Sequence, residues 1–293
     1  MAWGMTGTLA TQDPDREHDA YDILESWIGE IDRSCNRFHP DSELSLANAL
    51  GGEVEVSATF ERALLAARAA SDLTDGLCDP TVLDALEALG YDRDFTELAG
   101  GSERRDEPRP APGPSAWSIN AVDHVLRLKP GTRLDLGASA KALLADAVLE
   151  DLRGAGGALV EVGGDVAVDG EGPDGPWVIG ISTSLEIRGD EPRISLHRGG
   201  IATSSTSTRS WQRGGMTVNH IVDPRTGECA DGPFETTTVA GPDCVSANAL
   251  ATAALLWGEQ AANRITDVGA SGRLVRRDGS VAFVGGWPVE VDA

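Results

Sequence analysis

Residues 16–34 carry apolar side chains at three- and four-residue spacing, with Ala20, Ile23, Leu24, Trp27, Ile28 and Ile31 on one stripe. That period predicts an amphipathic helix. Residues 35–50 switch to turn chemistry around Pro40 and Asp41, with Ser42 in position to cap a helix. Residues 58–74 return to the helical period through Phe60, Leu64 and Ala67, with Leu65 alongside, and stop near Gly76. A short helix over Val82–Leu89 follows Asp79-Pro80 and ends at Gly90. Residues 100–115 mix Gly, Pro and charge, the composition of a surface loop or partly disordered insertion, with no function expected there.

Beyond that loop the period changes to two. Trp117–Val122 and His124–Lys129 read as a hairpin around Asp123. A strong helix spans about Ala138–Leu152. Short strands are expected at Ala158–Val162, Val166–Val168, Trp177–Ile181, Arg193–Leu196, Ile201–Thr203, Val218–Val222 and Thr236–Ala240. Helices follow at about Ala247–Trp257 and Gln260–Val268, then a hairpin joining Leu274–Arg276 to Val281–Val284 through Asp278-Gly279. Helices interspersed with antiparallel-looking strands, without regular βαβ alternation, predict an α+β fold of mixed, largely antiparallel sheets packed with helices.

Composition narrows the function classes. Apolar residues are 41 % and charged residues 24 % of the 293, as in an ordinary globular protein. No apolar run approaches the roughly 18 residues of a membrane helix, so no integral membrane segment is expected. Met1 to Asp19 shows no basic region followed by an apolar one, so the expected compartment is the cytoplasm. The net charge of −23 repels phosphate backbones and argues against nucleic acid as a partner. Lysine occurs only at Lys129 and Lys141, which makes a lysine inside a motif more informative. Cys35, Cys78, Cys229 and Cys244 form no C-x-x-C pair and are expected to be free thiols.

Five stretches could carry chemistry. In His220-Ile221-Val222-Asp223-Pro224-Arg225-Thr226-Gly227 the last five residues make a good turn by themselves. His220 adds an imidazole at the expected strand end, suited to proton transfer, with Asp223 in range to orient it. Leu134-Asp135-Leu136-Gly137-Ala138-Ser139-Ala140-Lys141 is a junction into a helix, where unpaired N–H groups suit a phosphate. Lys141 sits at the end of that helix where a cation opposes the dipole, which points to a bound anion or to a solvated lysine at an ordinary cap. Val162-Gly163-Gly164-Asp165 is a turn whose glycines permit close approach of a ligand. Residues 202–208, ATSSTST, are either a solvated loop or a set of hydroxyl donors. Asn248 and Thr252, four apart on a helix, offer oxygen ligands on one face, or hydrogen bonds to a neighbouring helix.

Together and in order, RFHPDSELS (37–45), GLCDPTVL (76–83), DLGASAKA (135–142), VEVGGD (160–165), IATSS (201–205), HIVDPRTG (220–227) and ANALATA (247–253) resemble the ApbE family, the FAD:protein FMN transferases. The resemblance runs from about residue 4 to 285. It implies a single domain over 1–293 with a T-fold-like core. It also implies transfer of the FMN part of FAD to a threonine hydroxyl of an acceptor flavoprotein, with Mg²⁺ and release of AMP. FAD pyrophosphate hydrolysis to FMN and AMP, or FAD binding without catalysis, are the alternatives. By motif position, Phe38, Leu77, Cys78, Asp79, Asp135, Lys141 and Ile221 would contact FAD. His220 with Asp223 would be catalytic. The Ala138 and Ala251 carbonyls, the Asn248 side chain and Thr252 would hold the metal. The family usually has Asp at the position of Asn248, which leaves this metal helix without a charge. The segment Gly4-Met5-Thr6-Gly7-Thr8 resembles a blurred form of the family's N-terminal M-G-T.

Overall fold

The structure, a computed structural model, describes residues 7–98, 107–154, 156–182 and 189–288. The order of elements is β1 (Gly7–Thr11), α1 (Glu17–Cys35), α2 (Glu43–Leu50), β2 (Gly52–Glu55), α3 (Ala58–Leu73), α4 (Leu83–Ala88), β3 (Trp117–Asn120), β4 (Val125–Leu128), α5 (Ala140–Asp151), β5 (Ala158–Val162), β6 (Asp165–Asp169), β7 (Trp177–Gly180), β8 (Arg193–Leu196), β9 (Arg198–Ser205), β10 (Ser210–Arg213), β11 (Met216–Asn219), β12 (Phe234–Gly241), α6 (Cys244–Trp257), α7 (Ala261–Asp267), β13 (Ser271–Arg276) and β14 (Val281–Val284). This is an α+β fold. Its main sheet has seven strands in the order β1-β5-β6-β9-β12-β13-β14, every neighbouring pair antiparallel. Two- and three-stranded ribbons surround it.

Helices α5 and α6 are apolar on nearly every side, the signature of core helices. In α5, Ala142, Leu144, Ala145, Ala147 and Val148 are fully enclosed; in α6, Ala247, Ala251, Ala253 and Ala254 are. The alanines let α6 lie close on β9 and β12 while α5 covers β5 and β6. At Gly200 a Cβ would come within 2.4 Å of the Cys244 Cα, so only glycine fits under the start of α6. Asp243 caps α6 by accepting from the Ser246 N–H at 2.7 Å. Asp146 of α5 accepts from the Cys244 and Val245 N–H groups at 2.9 and 3.0 Å, which ties the two core helices together. Burial pushes the Asp146 carboxyl up to about 6.

The outer helices follow local signals. Ser42 caps α2 and Ser57 caps α3, each hydroxyl accepting a backbone N–H three residues on. Phe60, Leu64 and Ala67 of α3 are buried as their spacing predicts, each large side chain stabilising by about 1.5–3 kcal/mol. Leu65 instead points away and is exposed. All four cysteines are free, and among the described residues no helix is long and apolar enough to cross a membrane.

Two expectations change. The strand predicted to reach Val222 ends at Asn219, whose side chain accepts the Ile221 N–H at 3.0 Å and donates to the Ala230 carbonyl at 3.1 Å, diverting the chain from the ladder. The insertion at 100–115 divides: residues 99–106 lie outside the described residues, while Arg109 and Ala111 cross the 223–227 turn and Gly113 and Pro114 reach Thr81 and Arg68. Ala111 N–H donates to the Pro224 carbonyl at 2.8 Å. Gly227, at φ +80, has the Arg109 carbonyl where a Cβ would sit. The turn glycine therefore serves this crossing as well as the turn itself.

Candidate functional site

The sheet, the start of α5 and the middle of α6 converge on a cavity of about 870 Å³. Of the residues singled out from the sequence, Phe38, Leu77, Cys78, Asp79, Asp135, Ala138, Lys141, His220, Ile221, Asn248 and Thr252 all line it. Asp223 and Ala251 do not.

One wall is aromatic. Phe38 and Tyr91 have ring centroids 5.8 Å apart, and Tyr91 meets Phe95 and Trp211 at 6.4 and 5.6 Å. Trp211 is fixed by its indole N–H, which donates to the Leu89 carbonyl at 3.0 Å. The Arg37 guanidinium lies 4.1 Å over the Phe38 ring and 4.6 Å over Tyr91. It donates to the Tyr91 carbonyl at 2.8 Å and pairs with Asp135 at 2.6 Å. The Asp135 side chain also accepts the Gly137 N–H at 2.8 Å, which shapes the entry to α5. Arg37, Tyr91 and Phe95 escaped the sequence reading. Only Arg37 stood within a quoted motif.

Beside this wall, Asp79 accepts from both the N–H and the hydroxyl of Thr81 at 2.8 Å. Burial raises its pKa against those two bonds. Burial, reinforced by Asp79, pushes the Cys78 thiol up to about 12, so it presents an unreactive S–H at neutral pH.

Another part of the lining is polar. Gly163 and Gly164, at φ +62 and +95, make the two-residue turn joining Val162 to Asp165. Lys141 in the first turn of α5 finds an internal anion: its Nζ lies 3.7 Å from Asp165 Oδ2. Asn248 Nδ2 donates to Asp165 Oδ1 at 2.8 Å. Thr252 and Ser204 share a hydrogen bond of 3.1 Å. The hydroxyl-rich run is not a solvated loop at this point, because Ser204 and Ser205 are buried in β9 at the middle of the main sheet. The Ala251 carbonyl is fully buried and accepts the Thr237 hydroxyl at 2.6 Å.

His220 comes just after β11, with Nδ1 buried and without a hydrogen-bond partner. Burial, then the positive charges of Arg209 and Lys141, push its pKa down to about 3, so the ring is neutral at pH 7 and, until a nearby anion offsets those two charges, a weak base. Asp223 is not its orienting partner. The Asp223 carboxylate is held by the Arg225 guanidinium at 2.7–3.2 Å and by the Arg225 N–H at 2.9 Å, all within the turn. Among the described residues no three His, Cys, Asp or Glu side chains gather as a metal centre. A cation here would depend on one carboxylate and neutral oxygens.

Comparison with known proteins agrees in extent with this arrangement. A FAD:protein FMN transferase of Haemophilus influenzae is 27 % identical over 268 residues, covering 84 % of this chain and 75 % of the relative. Another, of Rhodobacter capsulatus, is 29 % identical over 292 residues, covering 93 % of this chain and 55 % of the longer relative. The crystal structure of the ApbE protein of Thermotoga maritima superposes with a TM-score of 0.79 at 26 % identity, covering 97 % of this chain and 95 % of that one. The flavin transferase ApbE of Vibrio cholerae shares the fold at a TM-score of 0.77 and 22 % identity, covering 97 % and 95 %. The ApbE family model matches residues 4–272, and over that span, which includes every cavity residue named above, the chain belongs to the ApbE family.

Proposed function

We propose that this chain transfers the FMN part of FAD to a threonine hydroxyl of an acceptor flavoprotein and releases AMP. The observation that carries the reading is one cavity lined both by aromatic rings suited to a ring system and by a polar set that includes Lys141 and a neutral His220. The family's relatives named FAD:protein FMN transferase give the reaction class.

In this reading the isoalloxazine lies against Phe38, Leu77, Cys78, Asp79 and Ile221, and Arg37 and Asp135 keep that wall rigid. Lys141 turns from Asp165 to the pyrophosphate. His220 takes the proton from the acceptor hydroxyl as its oxygen bonds to the FMN phosphorus. The bond from that phosphorus to the AMP phosphate oxygen breaks, and AMP leaves as an anion that needs no added proton. The base therefore matters more than an acid. Asp223 holds the turn behind His220.

Mg²⁺ fits the polar wall. Asn248 Oδ1 is a buried oxygen without a hydrogen bond, and Thr252 shares its helix face. We assign Asn248, Thr252 and the Ala138 carbonyl to its shell; the Ala251 carbonyl, outside the cavity and bonded to the Thr237 hydroxyl, is not part of it. A bound cation would neutralise phosphate charge. The four free thiols accord with a reducing compartment, and we take the cytoplasm as its location.

The test is incubation with FAD and Mg²⁺, with and without an acceptor flavoprotein. Protein-linked flavin supports the transferase. Free FMN with no linked flavin shows a pyrophosphatase, and unchanged FAD shows a binding protein; both outcomes refute the transferase.

A further inference from the structure

We propose that Asp165, at the turn into β6, supplies the anionic ligand for a divalent cation in this chain, in place of a carboxylate on α6. The inference deepens the proposed transferase and rests on it for the cation's use, while its geometry stands on the fold alone. Asp165 is 2 % exposed and Asn248 7 % exposed, and both line the cavity. A carboxylate only accepts, so the bond between them fixes the amide with Nδ2 toward Asp165 Oδ1. That orientation leaves two oxygens, Asp165 Oδ2 and Asn248 Oδ1, buried and without hydrogen bonds. Leaving a buried acceptor unmade is costly, and leaving a buried anion so is costlier.

Lys141 does not settle this account. At 3.7 Å its Nζ is a coulombic partner of Oδ2 beyond hydrogen-bond range, and a cation there does nothing for the Asn248 oxygen. A single cation between the two oxygens would satisfy both. The Thr252 hydroxyl, one helical turn from Asn248, and Ser204, bonded to it, add further oxygens. The set holds one carboxylate, one amide and hydroxyls, with no sulfur or imidazole. That chemistry takes a hard cation such as Mg²⁺ or Mn²⁺. The sequence pattern hid this because Asp165 and Asn248 are 83 residues apart.

The experiment measures Mn²⁺ binding to the full chain, by loss of the free-ion paramagnetic resonance signal, with FAD absent and saturating. Asp165→Asn is expected to weaken binding by about tenfold or more, because the ligand charge is gone. The exchanged double variant, Asp165→Asn with Asn248→Asp, keeps one amide–carboxylate hydrogen bond and returns the charge to the cavity. It is expected to bind within a few-fold of the parent, and its metal-free melting curve shows that the pair still folds. Parent-like Mn²⁺ affinity in Asp165→Asn overturns the inference. So does a double variant no better than Asp165→Asn, or a parent chain that binds no Mn²⁺ even with FAD. Flavin transfer is scored separately: a parent that binds Mn²⁺ through Asp165 but transfers no flavin refutes the transferase and leaves the ligand assignment standing.

Discussion

Replacing His220 by Asn should flatten the acid side of the stability curve. In the fold the ring is neutral, held at about 3 against an ordinary 6.5 by burial and by the charges of Arg209 and Lys141. Its folded value is depressed, so the unfolded chain binds the proton first. The penalty is absent well above 6.5, grows as pH falls, and is complete near 3. Between pH 7 and pH 5 the unfolded imidazole takes up its proton and the folded one does not, which linkage converts to about 2 kcal/mol lost by the parent. Asp146 works in the opposite direction. Its folded value is raised from 3.8 to about 6, so acidification returns roughly 1 kcal/mol over the same interval. Asp146 is present in both proteins and cancels in the difference. Urea unfolding in chelator at the two pH values gives that difference, whatever the absolute cost of the substitution. A variant losing the same stability as the parent, within about 0.5 kcal/mol, would mean that His220 is solvated or charged, and its part as a neutral base would fall with the burial argument. With the reasoning intact, the same variant should transfer flavin about 10²–10⁴-fold more slowly while binding FAD almost as before.

Lys141→Ala should weaken FAD binding about tenfold or more by titration calorimetry while leaving riboflavin nearly unchanged, since only FAD carries the pyrophosphate; equal losses would assign Lys141 a structural role. Gly200→Ala drives a methyl into the backbone of Asp243 and Cys244 and should cost about 3 kcal/mol or more in urea unfolding, with an unchanged midpoint counting against the close packing of α6 on β9. Arg37→Met leaves Asp135 buried without its partner and should cost about 3–5 kcal/mol, whereas the double variant with Asp135→Asn should recover much of that loss; additive costs would show that the two act independently.

The helices were legible because their signals are local. The α3 stripe of Phe60, Leu64 and Ala67 and the Ser42 cap need nothing beyond their own neighbours in sequence; the Ser57 and Asp243 caps are as local but went unread, and α6 starts at Cys244, three residues before the expected Ala247. Strands depend on partners, and three escaped for that reason. β1 brings a single buried side chain, Leu9, to an edge; β2 is a polar edge strand; β10 pairs only with β11. The hydroxyl run at 202–208 has the composition of a loop, yet its first half is a central strand. Thr203 sits opposite Thr238 and bonds to it at 2.9 Å, so the polar groups are satisfied across the ladder.

The candidate site divides along the same line. The motifs named where chemistry would enter, and most of the residues singled out in them reached one cavity, because they lie at the start of α5, in the middle of α6 and along the strands and turns that the main sheet brings together. What stayed hidden were the pairings between motifs. Arg37 with Asp135, Lys141 with Asp165, and Asp165 with Asn248 each join stretches far apart in sequence. Lys141 shows the consequence. Read alone, a cation opposing a helix dipole calls for a ligand anion, but the fold already supplies one in Asp165. A phosphate must then compete with Asp165 for that charge, unless another cation occupies the carboxylate. Reading Asn248 alone as a weakened metal ligand has the same fault: a carboxylate stands across a 2.8 Å hydrogen bond, on β6 rather than on α6. Residue types in a motif limit what a site can do, and the charge balance is set only by the contacts between motifs.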